Sequence, residues 1–306
     1  MSNTLPPPLP DRPPGRRGPR GAVLLALCVA VPLVLLGWLG WRVWGGDDGA
    51  GTAQRAPDAR PSGSPSAQEK VLDGRTVVLD PGHHPGNRDH AREINRQVDM
   101  GEGTKECDTT GTETEDGYAE AEFTLALAER VERLLVSEGA EVVLVHSGGE
   151  KRGDVEWGPC VDERARIGNE AKADAAVSLH ADGAPADARG FHVILPGEVR
   201  TRGADTRAIV APSARLGREL ASGFRAATGA RPAEYIGDGS GLDIRADLGG
   251  LNLSRVPKVF LECGNMRNAR DAAQLSSPAW QKRAAAGVAD GLTAYLTRGA
   301  AASDRR

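Results

Sequence analysis

TVVLDPGHH, residues 76–84, is an apolar, β-branched run that stops at Asp80-Pro81-Gly82 and then presents a histidine. β-Branched residues favour strands and Pro-Gly is turn chemistry, so the stretch reads as a buried strand that delivers His83 at its carboxyl end. Two later runs are built the same way: AAVSLH, 175–180, ends in His180, and VPKVFLE, 256–262, ends in Glu262. Three buried strands therefore each end in a potential metal ligand or base.

Working outward, β runs alternate with helical periods. Strands are expected over 75–80, 141–145, 174–180, 190–195 and 257–262, and helices over 119–138, 160–172, 212–228 and 277–297. The alternation predicts an α/β fold, a single mixed β-sheet flanked by helices on both faces, with an N-terminal transmembrane helix outside the fold. Ligands of such sheets collect at the carboxyl ends of strands, which is where His83, His180 and Glu262 fall.

The first long helix, DGYAEAEFTLALAERVERLL, carries an apolar stripe of Phe123, Leu127, Val131, Leu134 and Leu135. At 100° per residue Glu120 lies on that stripe, while Glu122 shares the opposite, solvated face with Glu129 and Arg133. An inward carboxylate demands a partner, and a metal supplies one. Two neutral imidazoles and a carboxylate, His83, His180 and Glu120, form a standard catalytic zinc set (one Zn2+ per chain), with Glu262 left to act as the base. Taken singly, a buried histidine at a strand end is more often a hydrogen-bonded structural residue. The gathering of all four in one α/β domain is what reverses that reading.

Composition bounds the rest. The chain has 306 residues, 40% of them hydrophobic and 26% charged, with a net charge of −4. That suffices for one core and provides no basic face, so nucleic acid is excluded as a partner; no repeat or second domain is visible. Residues 1–20 carry four arginines against one aspartate among prolines and glycines and read as a disordered basic cytoplasmic tail. Residues 22–41 hold no charge and are long enough to span a bilayer, so a transmembrane anchor is expected over 21–44, closed by Trp38, Trp41 and Trp44. The arginines before it place the remainder outside the cytoplasm. A cleaved signal peptide, with secretion, is the alternative, and the length of the apolar run favours the anchor. Residues 45–70 read as a flexible linker, 71–298 as the folded domain, and 299–306 as a disordered tail.

Residues 85–117 are polar and rich in Gly and Thr, and are expected to form a long surface loop, either a wall of the substrate groove or solvated decoration. Cys28 lies in the span and Cys263 beside Glu262 in a buried strand, which leaves Cys107 and Cys160 as the sensible disulfide outside the cytoplasm. Cys263 is read as core packing. Arg245, shortly before the last strand, could bind a carboxylate, with a plain surface ion pair to Asp247 as the competing reading. His90, His146, His192, Trp157 and Trp280 receive no functional role.

These residues resemble a known family, the zinc-dependent N-acetylmuramoyl-L-alanine amidases of type 3. VVLDPGHH is similar to the family's LDPGHGG signature, with His84 and Pro85 where two glycines are usual, and His84 is expected on the solvent side or as a neighbour of the ligand. Glu120 resembles the helix-borne ligand of E-x-x-x-N-L-A, with Thr124 in place of Asn. SLHADG resembles S-[IL]-H-A-N, with Asp182 in place of Asn, and FLECGNMRN resembles V-E-x-G-F-x-x-N, which puts Asn268 at its closing Asn, a possible substrate contact. CGNMRN together with GPCVDERARIGN, 158–169, most resembles the actinobacterial branch. The resemblance covers 71–298 and implies peptidoglycan as substrate and the amide between N-acetylmuramic acid and L-alanine as the bond cut. A monomer held to the cytoplasmic membrane by its N-terminal helix is expected. The alternatives are a non-catalytic peptidoglycan-binding regulator of the same fold, and a zinc peptidase of the stem peptide.

Overall fold

The computed structural model describes residues 70–148 and 154–303. The chain divides into two units, Met1–Ser64 and Pro65–Arg306, and every described residue belongs to the second. The segments expected to form the basic tail, the membrane anchor over 21–44 and nearly all of the linker lie outside the described residues. Among the described residues no helix is long and apolar enough to cross a membrane.

The described residues hold eight strands: β1 (Thr76–Pro81), β2 (Gln97–Asp99), β3 (Thr104–Glu106), β4 (Glu141–Leu144), β5 (Ala175–Asp182), β6 (His192–Pro196), β7 (Leu242–Arg245) and β8 (Lys258–Asn265). The helices are α1 (Ala91–Ile94), α2 (Glu120–Ser137), α3 (Val161–Glu170), α4 (Arg207–Thr228), α5 (Gly249–Asn252), α6 (Ala269–Leu275) and α7 (Pro278–Ser303). Six strands form one sheet in the order β4-β1-β5-β8-β6-β7, while β2 and β3 pair separately as a hairpin. β6 runs antiparallel to β8 and all other neighbours in the sheet are parallel, so the sheet is mixed, as expected.

Side chains alternate between the two faces of the sheet. One face presents Val77, Leu79, Val177, Leu179, Val259 and Leu261 to α2, α4 and α7, whose Phe123, Leu127, Leu216, Phe224 and Val288 complete the main core. Here α4 and α7 approach backbone to backbone. A Cβ on Gly223 would stand 2.5 Å from the carbonyl oxygen of Gly287, and one on Gly287 would stand 2.7 Å from that of Gly223, so only glycine fits at this crossing. The other face keeps a small apolar cluster around Val78, Ala176 and Val256, and presents Asp80, Ser178, His180, Lys258 and Glu262 beside it. α3 and α5 cover that face.

Several expectations need correction. Residues 85–117 are not a plain loop: they hold a 3-10 turn at Pro85–Asp89, α1 and the β2–β3 hairpin, and bury Ile94, Val98, Met100 and Cys107. Single apolar residues spaced through polar sequence carry no periodic signal, which hides such a segment. β7, around Arg245, is a further strand; it has four residues at the sheet edge with Ile244 70% exposed, so it lacks a buried run to betray it. α4 begins at Arg207, although Pro212 invites a helix start. The proline sits inside the helix, where it has no N–H to offer the Ala208 carbonyl. Leu134 is 37% exposed and leaves the stripe, which Ala121, Thr124 and Ala128 widen on the other side. The last helix continues to Ser303, past the point where the tail was expected to begin.

Candidate metal centre and active site

β1 ends under His83, whose φ of 61° places a non-glycine residue in the left-handed region. The side chain turns back over the carboxyl end of the sheet, where Glu120, the first residue of α2, and His180, near the end of β5, meet it. His83 Nε2 lies 3.3 Å from Glu120 Oε2 and His180 Nδ1 lies 3.0 Å from Glu120 Oε1. The ligating atoms of the three residues all fall within 4.8 Å of one another. Glu120 is buried and Glu122 exposed, as the helical period predicts. The Glu120 carboxylate also accepts from Thr112 N (3.0 Å) and Ala181 N (3.1 Å), which fixes both oxygens. Gly111, at φ +74°, passes so close that a Cβ would stand 2.7 Å from Glu120 Oε2.

The donor set suits a metal. Two imidazoles and a carboxylate aim one atom each at a common point, and both rings are held by their other nitrogens, the usual way a ligand is oriented. His83 Nδ1 lies 3.2 Å from Asp108 Oδ1 and 3.1 Å from the Thr109 carbonyl. His180 Nε2 lies 3.1 Å from Ser178 Oγ, and its ring stacks on Phe260 at 5.0 Å between centroids. The electrostatics show the mutual attraction of the set. Burial disfavours the His83 cation, yet Glu120 and Asp108 outweigh it and raise the imidazole to about 10. The Glu120 carboxylate is lowered well below its usual range by His83 and His180, again against burial. A dication at the common point would take the place of the positive charge that His83 otherwise supplies to Glu120.

Glu262 stands beside His180 in the β5–β8 register. Its Oε2 is buried and makes no hydrogen bond. Burial first, then the charges of Glu120 and Asp182, push this carboxyl well above its ordinary value. On its other side His192 faces it in the β6–β8 register, and Tyr235 donates to Asp182 Oδ2 at 2.9 Å.

Behind the histidines lies a buried ionic network that the sequence reading missed. Arg164 from α3 reaches Asp80 Oδ1 (2.7 Å) and Asp108 Oδ2 (2.9 Å), and Lys258 Nζ reaches Asp80 Oδ2 (2.9 Å). The available signal was a pair of opposite charges, Asp80 and Lys258, in two strands otherwise reading as apolar. Asp80 is held well below the carboxylate range by Lys258 and Arg164, in spite of complete burial.

Other predicted residues fall as follows. Cys107 and Cys160 form the expected disulfide, buried against Val98, and Cys263 is a buried free thiol. Asn268 is engaged structurally: its Oδ1 caps α6 by accepting from Arg270 N and Asp271 N, and its Nδ2 donates to the Ala186 carbonyl. Arg245 forks onto Asp247 at 2.8 and 2.5 Å on the edge strand, the ion-pair reading. His84 is buried, not on the solvent side; it caps the 3-10 turn and packs on His146. His146 in turn donates from Nε2 to the Pro81 carbonyl at the end of β1, and is kept neutral by burial, Arg164 and His84, which lower it to about 4.

Residues 77–294 match the protein family described as N-acetylmuramoyl-L-alanine amidase. The chain is 38% identical over 235 residues to the N-acetylmuramoyl-L-alanine amidase Rv3717 of Mycobacterium tuberculosis, covering 76% of this chain and 91% of that protein. It also superposes on the amidase Ami1 of Mycobacterium abscessus at 41% identity and a TM-score of 0.66, covering 74% of this chain and all of the other. For Ami1 of Mycobacterium smegmatis the values are 38% identity and 0.65, with 74% and 99% covered. With the family's signature residues gathered at one strand-end cluster and relatives matched over nearly their whole length, the chain belongs to the type 3 N-acetylmuramoyl-L-alanine amidases.

Proposed function

We propose that this chain hydrolyses the amide between N-acetylmuramic acid and the L-alanine of the peptidoglycan stem peptide, using zinc at His83, Glu120 and His180. The observation that carries the reading is the convergence of those three ligand atoms within 4.8 Å, with Glu262 in register beside them. Bound zinc would polarise the scissile carbonyl and lower the pKa of a coordinated water to about 7.

The chain's own residues supply the rest. Glu262 takes the proton of the attacking water on a carboxylate oxygen and returns it to the departing L-alanine nitrogen. A raised pKa suits that double duty, since the same group must accept and then donate near neutrality. Asp108, the Thr109 carbonyl and Ser178 hold the histidine rings in place. Arg245 stands near enough to lower the Glu262 carboxyl by its charge, and its place at the sheet edge fits a contact with a stem-peptide carboxylate. The Cys107–Cys160 disulfide supports an extracytoplasmic catalytic domain, which the expected anchor over 21–44 would hold at the outer membrane surface beneath the wall.

Mass analysis of peptidoglycan digested by the purified chain tests the reading. Intact stem peptides with a free L-alanine amine are expected, and their release stops on chelation and resumes with zinc. Cleavage within the stem peptide instead would make the chain a peptidase.

A further inference from the structure

The ionic network beneath the site contains more charge than the core requires. Asp80, Asp108, Arg164 and Lys258 are all buried, at 1%, 7%, 5% and 1% exposure. Taking such charges out of water is costly, and buried ion pairs are weak contributors to stability when compared with apolar packing of the same volume. What distinguishes this network is where its ends lie. One branch runs Arg164–Asp108–His83 Nδ1. The other runs Arg164–Asp80–Ser178, at 2.7 and 3.0 Å, and then to His180 Nε2 at 3.1 Å. Both branches end on the nitrogen of a histidine that faces away from Glu120.

Arg164 also holds the backbone on which His83 is mounted. Its guanidinium donates to the Pro81 carbonyl (2.7 Å) and the His83 carbonyl (3.0 Å) on one side, and to the Pro159 carbonyl (2.8 Å) on its own side. His83 is in the left-handed region, a conformation that is strained for a non-glycine residue and persists only where its surroundings impose it. A planar group with five N–H donors can serve two carboxylates and three carbonyls; a lysine ammonium, with three donors at one point, cannot.

We propose that Arg164 is a positioning residue that fixes both histidines of the metal centre together, one through Asp108 and the His83 backbone, the other through Asp80 and Ser178. The proposal rests on the reading of His83, Glu120 and His180 as metal ligands. It makes the site a preformed unit: loosening the guanidinium loosens two ligands, whereas loosening Ser178 loosens one.

The test measures zinc affinity by chelator competition on the full chain and on R164K, S178A and the R164K/S178A pair, together with the visible spectrum of each after cobalt replacement. R164K is expected to weaken zinc binding by about 10–100-fold and S178A by about 10-fold, the range for groups that orient ligands. The double variant should lose less than the product of the two, because both act on one path to His180, and the cobalt bands of R164K should shift as the ligand field changes. A folded R164K, with wild-type far-ultraviolet circular dichroism and an intact disulfide, whose zinc affinity lies within twofold of wild type overturns the proposal. Should R164K not fold, S178A decides: an affinity within twofold of wild type overturns the shared path. If the wild-type chain itself takes up no zinc, the metal reading falls and the proposal with it; if wild type binds one zinc and R164K binds it equally, only the proposal falls.

Discussion

The two faces of the central sheet are built on opposite principles. One is a continuous apolar layer under α2, α4 and α7, in which alternate residues of every central strand are fully buried hydrophobics. The other, made by the intervening residues of the same strands, buries Asp80, Ser178 and Lys258 and ends in His180 and Glu262. A one-residue slip in register would exchange the two sets, so the apolar face fixes where the polar one stands. The first face carries the stability of the fold, and the second spends some of it on placing charges. Substitutions on the two faces should therefore separate activity from stability.

The largest effect belongs to Glu262. E262Q removes the proton acceptor and should lower turnover by about 10²–10⁴-fold, the usual contribution of a general base. Stability should hold or rise, because a buried carboxyl with an unbonded oxygen is replaced by a neutral group. Turnover on muropeptides and a thermal melt check this; undiminished turnover would remove Glu262 from the mechanism.

Lys258 comes next, and here the loss falls on stability. Truncating one partner of a buried ion pair costs about 3–5 kcal/mol where the other is left alone, and K258M should fall toward the lower end because Asp80 keeps Arg164. The pH dependence follows from Asp80, whose folded pKa is depressed. Its contribution is complete above the unfolded value of about 3.9 and fades as pH falls through the folded one. Acid unfolding of the wild type should thus draw on this site below about pH 4, and K258M should unfold at a higher pH. Equal acid midpoints by circular dichroism would mean that Lys258 does not support the Asp80 charge.

On the apolar face, G287A inserts a methyl where the Cβ would stand 2.7 Å from the Gly223 carbonyl oxygen. Overpacking of this kind costs about 1–3 kcal/mol. The melting temperature should drop while turnover below the transition stays unchanged, the reverse of E262Q. Equal losses of turnover in both variants would show that the faces are not separable.

The sequence discloses the parts of this division that have a period or a terminus. Strand ends at His83, His180 and Glu262 are legible because each closes an apolar run, and Glu120 because the α2 stripe has a period. Asp108 and Arg164 are not, since neither sits in a pattern that distinguishes it from a solvated residue, and they meet only when α3 is folded over β1. The β2–β3 hairpin is invisible for a related reason: its burial depends on Val98 and on a disulfide whose halves are 53 residues apart, not on local alternation. Asn268 shows the limit of motif matching. Its place in FLECGNMRN rests on the resemblance, and a motif does not say whether an Asn faces a substrate or caps the helix that follows; the side chain caps α6.

The smallest effect expected lies at the edge of the polar face and asks how far that face extends. Arg245 is a part-exposed fork on Asp247, and such pairs are worth about 0–1 kcal/mol, so R245A should leave the melting temperature nearly unchanged. Its charge nonetheless reaches Glu262, lowering that carboxyl against the burial that raises it. Removing it should move the Glu262 pKa further up, and with it the acid limb of the pH–rate profile, because the base then ionises at higher pH. A contact with a stem-peptide carboxylate adds a separate signature: KM rises for substrates with a free carboxylate and stays put for amidated ones, while kcat at the pH optimum is kept. A shifted acid limb with an unchanged KM would confine Arg245 to tuning the base; a raised KM selective for the free carboxylate would carry the functional face out to β7.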